Sequence, residues 1–322
     1  MIKAITILAA AAIGCGASAQ DLTHSAPPQT NPIFLVGATV HTGNGETIEN
    51  GVVAFNEGRI TLVGKADDIM PRIKLSADTQ IIDLSGKHIF PGMIGAVTLL
   101  GLDEISAVRA MRDFEEVGDS TPEVRAFVAV NPDSTLIPVA RTNGILTAGV
   151  FPTGGLISGR ASVIALDGWT NEDMTLDRDA GLIINWPTMR PGRNRFGEER
   201  SGADDRIEQR MATLNEWFDQ ALAYRALKKS DASTPTDLRL EALGTVLPGD
   251  DQNPVFIRAD DYDQIVAAVN WAAGRKFKPV IIGGQDAHLC TDLLKAHDAA
   301  VVVQGVHRFP KRADSAFDDP FT

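Results

Sequence analysis

The chain has 322 residues, 44% of them hydrophobic and 22% charged, with a formal net charge of −12. That length can bury a large core in one or two domains. The acid excess argues against a nucleic-acid partner or an anionic membrane gripped through a basic face, and past the N-terminus no apolar run is long enough for a transmembrane span.

Residues 1–19 read as a secretory signal peptide. Lys3 gives the positive start, Ile5 to Ile13 the apolar run, and Ala17-Ser18-Ala19 a small-residue cleavage site before Gln20. A periplasmic or secreted location follows. Cys15 offers a lipoprotein alternative, but Ala12 stands where a lipobox carries a larger aliphatic residue. Cleavage after Ala19 leaves Cys290 as the single cysteine, which excludes an internal disulfide; its setting, "AHLCTDLL", reads as a buried helix.

Residues 20–32 form a polar, proline-bearing linker. From 33 to 90 short β segments alternate with turns, Asn44-Gly45 and Asn56-Glu57-Gly58 among them, which predicts a small N-terminal β-sandwich part. After Pro91 apolar strands alternate with helical stretches, and 91–322 reads as an α/β parallel barrel. Strands are expected at 93–99, 145–150, 162–166, 181–185, 255–259, 279–283 and 299–304, and helices at 205–228, 261–273 and 287–296. In the first helix Met211, Leu214, Phe218 and Leu222 make the packing face. Residues 187–205 read as a charged surface loop. Seven strands are one short of a (β/α)8 TIM-type barrel. The ending "RADSAFDDPFT" reads as an interrupted loop, as in a truncated frame, a fragment or a cloning boundary.

Two stretches carry a family resemblance. "GRITLVG" followed by "IIDLSGKHIFPGMI" resembles the N-terminal signature of the amidohydrolase superfamily, on its imidazolonepropionase-like side. Residues 131–170, "NPDSTLIPVARTNGILTAGVFPTGGLISGRASVIALDGWT", resemble the second and third barrel-strand region of a secreted bacterial branch. The resemblance spans roughly 33–310. It implies a barrel beside a β-sandwich, a small-molecule substrate and hydrolysis of non-peptide C–N bonds such as cyclic amides. It also implies zinc or another divalent metal that activates a water at the barrel mouth. A homo-oligomer is compatible with it.

The ligand set that the resemblance implies is missing position by position. The family's Asp falls on Gly95, and its two strand histidines on Val97 and Leu99, which as i and i+2 would share one face. Asn185 stands near the place of a bridging lysine. Arg258 replaces a histidine and has no lone pair to give a metal. Gly283-Gly284 stand where another histidine is expected, and the final aspartate would fall past Thr322. The metal site therefore reads as remodelled or lost.

The alternatives are a catalytically inactive protein that binds a small molecule or a partner, and a non-functional fragment. Among other mouth residues, Arg258 can hold a substrate carboxylate, or pair internally with Asp260 or another acid. Asp286 and His288 follow the sixth strand on the side where barrel sites occur, though His288 reads first as an early-turn helix residue at the surface. The loop "PTGGLISGR" lacks a phosphate-loop pattern but offers Ser158 and Arg160 as substrate contacts. His24, His41, His88, His297 and His307 read as surface, sandwich or loop residues.

Overall fold

A computed structural model describes residues 29–189 and 203–305. The expected signal peptide, most of the linker, His24, His307, most of the 187–205 loop and the chain end lie outside them.

The N-terminal region forms one sheet from β1 (Ile33–His41), β2 (Thr47–Asn56), β3 (Arg59–Lys65), β4 (Gln80–Asp83) and β5 (His88–Ile89). Its order is β3-β2-β1-β4, with β5 also paired to β1. Glu57 and Gly58, both at positive φ, close β2 onto β3 where Asn56 pairs with Arg59, the two-residue turn that suits strand twist. Among the described residues this region is a single sheet, and the second layer of the expected sandwich is not among them. A small core of Ala38, Val40, Ile48 and Val53 lies against it.

The second sheet has seven strands in sequence order: β6 (Met93–Thr98), β7 (Ile145–Val150), β8 (Ile157–Ala165), β9 (Thr175–Asn185), β10 (Val255–Ala259), β11 (Pro279–Gly283) and β12 (Ala300–Val303). Each expected strand has its counterpart, but the sheet is not wholly parallel. β8 runs antiparallel to both neighbours, with Thr147 opposite Ala165 and Arg160 opposite Leu182. The third strand is also longer than the expected 162–166, because "ISGR" at 157–160 continues it, through a register shift at Gly159, instead of forming a loop.

Alternation along the strands separates two faces. Outward, Leu182, Ile184, Val255, Ile257 and Ile281 pack under helices. These helices include α2 (Ala203–Ser230), α3 (Leu238–Gly244), α4 (Tyr262–Gly274) and α5 (Thr291–Ala296), while α1 (Leu136–Thr142) lies against β7. In α2 the packing face is Leu214, Phe218 and Ala221, with Met211 beside them; Leu222, expected in that face, is 40% exposed. With 3.6 residues per turn, Leu214, Phe218 and Ala221 fall within an arc of about 60°, while Leu222 lies about 80° from Leu214 and about 100° from Ala221, at the edge of that face. Inward, Phe151, Ala161, Ile183 and Ile282 form a buried cluster that Val97, Ala180 and Phe256 join. Those residues come from β6, the end of β7, and β8 through β11, so the sheet curves around them as a barrel-type wall with an apolar filling.

Candidate functional site at the barrel mouth

Arg258 sits in β10 between Asn185 on β9 and Ile282 on β11. It shares the inward face with Phe256, so its side chain rises from the apolar filling. A guanidinium nitrogen, Nη2, donates to the Pro152 carbonyl at 3.4 Å, while the buried Nε has no hydrogen-bond partner among the described residues. Burial pulls its pKa down from the ordinary guanidinium value, and the Asp260 charge opposes that. An arginine stays protonated under such a shift. The result is a cation held over an apolar floor with donors left over.

Asp260 follows β10, and Gly283 makes room for it. A Cβ on Gly283 would stand 2.4 Å from Asp260 Oδ1, and the φ of +103° at Gly283 also favours glycine. The residue at a family histidine position thus serves as a seat for a neighbouring carboxylate.

Ser158 and Asn185 meet beside Arg258. Asn185 Nδ2 donates to Ser158 Oγ at 2.8 Å and to the Gly154 and Gly155 carbonyls at 2.8 and 2.9 Å. Ser158 Oγ in turn donates to the Gly154 carbonyl at 2.7 Å. Together they fix the 152–156 loop whose Pro152 carbonyl faces Arg258.

The other sequence candidates lie elsewhere. Arg160 is 6% exposed and points to the outer flank, opposite Ala161. It pairs with Asp179 and donates to the Pro122 and Glu123 carbonyls, both at 3.1 Å. Asp286 is 4% exposed; its Oδ2 accepts the Tyr262 backbone N–H at 3.0 Å, at the start of α4. His288 is exposed in a short 3-10 turn that precedes α5. Cys290 is buried in the same turn, and burial, with the Asp286 charge, raises its thiol pKa.

Val97 and Leu99 do not share one face. A bulge between Gly95 and Thr98 shifts the β6 register, and a Cβ on Gly95 would meet Thr98 Cγ2 at 2.9 Å. Val97 joins the inward cluster, whereas Leu99 leaves the strand and packs with Leu102 and Phe114. The i, i+2 expectation fails because it assumes a regular strand.

Donor chemistry then decides the metal question for these residues. Val97, Leu99, Arg258, Gly283 and Gly284 carry no ligating side-chain atom, and Asn185 spends its amide N–H groups on the loop. Among the described residues no group of three His, Cys, Asp or Glu is placed to hold a metal ion. The residues present do not fit a zinc-type centre.

A residue that sequence reading passed over organises this end of the barrel. Gln264 Oε1 accepts from the Asp260 and Asp261 N–H groups at 3.2 and 3.3 Å, and its Nε2 donates to the Trp186 and Pro187 carbonyls, both at 3.2 Å. The Asp261-x-x-Gln264 spacing of a capping box was the available signal.

No family model matches the chain. Amidohydrolase tasK of Hapsidospora irregularis is 25% identical over 224 residues, 62% of this chain and 22% of that protein. The chain thus spans about a fifth of the length of that relative. An amidohydrolase from Thermotoga maritima superposes with a TM-score of 0.71 at 24% identity, covering 87% of this chain and 72% of that one. The described helices include none long and apolar enough to cross a membrane. The similarity to tasK and the fold shared with the Thermotoga maritima amidohydrolase agree with the resemblance to the amidohydrolase superfamily carried by "GRITLVG" and "IIDLSGKHIFPGMI".

Proposed function

We propose that this protein is a hydrolase of non-peptide C–N bonds, of the cyclic-amide kind, whose barrel mouth holds a carboxylate-bearing substrate through Arg258. The family resemblance supports the reaction class. One observation carries the site: a buried guanidinium rises from the apolar floor with its Nε unpartnered and a single long bond to the Pro152 carbonyl. A carboxylate that accepts from Nε and an Nη atom would complete that geometry. Apolar Val97, Phe151 and Ile282 beneath it suit the body of a small ring. Arg258 binds and orients in this reading, and no step is routed through a metal.

The test pairs pyroglutamate, a cyclic amide with a carboxylate, with 2-pyrrolidone, the same ring without it. Calorimetry of the full chain is expected to show pyroglutamate bound about tenfold or more tightly than 2-pyrrolidone. Arg258→Met should abolish that preference, and Arg258→Lys should keep part of it. Equal binding of the two rings, or an unchanged preference in Arg258→Met, overturns the site.

A second reading, a non-catalytic binding protein on the same fold, is favoured by Val97, which packs into an apolar cluster where the family places a ligand. Product analysis separates the two. Ring opening across a panel of cyclic amides supports the hydrolase; binding with every ring left closed supports the second reading.

A further inference from the structure

A cavity of about 650 Å³ opens on the outer flank of β8 and β9, and it reaches Pro152, whose carbonyl accepts from Arg258. It lies between the segment joining β6 to β7 and helix α3. That volume falls in the range of small-molecule pockets. Leu102, Phe114, Val128 and Leu238 supply apolar wall. Among its charged groups, Arg160 is paired with Asp179, and Glu241 is paired with Lys228. What remains is Asp113, Glu115 and Glu116 against Arg125, with Glu123 sharing the field of the single Arg160 with Asp179. Two of the wall carboxylates also have an unmet need. Glu123 Oε2 and Asp179 Oδ1 are buried without a hydrogen-bond donor among the described residues. Buried acceptors of this kind are ordinarily satisfied.

We propose that this flank cavity binds a small organic cation, an amine or amidinium carried on an apolar body. The apolar wall takes the body. The excess of carboxylates over Arg125 and Arg160 selects positive charge, and a small torsional turn of Glu123 presents its unsatisfied oxygen to the ligand's N–H groups. The site differs from the carboxylate site proposed for Arg258 in needing the opposite charge, and Pro152 is the residue the two share.

The probes are benzamidine and its neutral isostere benzamide, titrated into the full chain by calorimetry. Benzamidine is expected to bind at one site, about tenfold or more tightly than benzamide. Glu123→Gln should reduce that preference severalfold. Val128→Trp, placed at an exposed wall position that tolerates bulk, should block benzamidine while leaving the fold and pyroglutamate binding intact. Equal binding of the two probes, no binding of benzamidine, or benzamidine affinity unchanged in both variants overturns the proposal. Pyroglutamate binding, which depends on Arg258, reports on the other site, so failure of either reading is seen separately.

Discussion

Gly283 shows how one residue can carry both a conformation and a contact. Its φ of +103° penalises any side chain, and an added Cβ would press on Asp260. Gly283→Ala is therefore expected to destabilise the protein by about 1–3 kcal/mol; a denaturation midpoint equal to wild type would refute the strain. Cys290 has the opposite character, because its environment favours the neutral thiol. Burial raises its folded-state pKa above the unfolded value. Its contribution is therefore fully present below the unfolded pKa and is lost as pH rises through the folded one. In melting curves against pH, wild type should lose stability on the alkaline side faster than Cys290→Ala, and parallel curves would contradict this. Sequence alone read Cys290 as a buried helix residue, since its apolar neighbours already said so. It left Arg258 open between a contact to a substrate carboxylate and an internal ion pair, because the partners of a guanidinium are set by loops distant in the chain.

Helix α4 is tied to two strands through the side chain of Gln264, which bridges the β10 exit and the β9 exit. Asp286, from beyond β11, caps the same helix start. Three strand ends thus converge on one helix N-terminus, and that convergence sets the level of the mouth. Gln264→Ala removes the bridge and leaves the Trp186 and Pro187 carbonyls to find other donors. The expected cost is about 2–4 kcal/mol, measured as a shift in urea midpoint; a loss below about 0.5 kcal/mol would show the bridge to be dispensable. The helix itself was legible from apolar spacing. β8 was half legible: its apolar residues announced a strand, while its antiparallel direction depends on pairing with β7 and β9, which no local pattern encodes.

Across the whole molecule, the curved seven-stranded sheet brings Val97, Phe256 and Ile282 from distant strands into one apolar filling. The same curvature and the β6 bulge send Leu99 to a different cluster. Restoring the family residues by Val97→His with Leu99→His should therefore not create a divalent-metal site. Metal analysis after zinc loading is expected to find the double variant no richer than wild type, and stoichiometric zinc in it would overturn this account. By itself the sequence determined the resemblance to the amidohydrolases, the succession of strands and helices, and the absence of ligating atoms at Val97, Leu99 and Arg258. These rest on local periodicity, turn chemistry and side-chain identity. Only the tertiary structure decided that Arg160 and Asp286 are held in internal networks, that Arg258 keeps spare donors, and that Val97 and Leu99 part company. Each of those depends on which distant backbone or carboxylate lies within hydrogen-bonding or packing distance, a property of strand register and curvature.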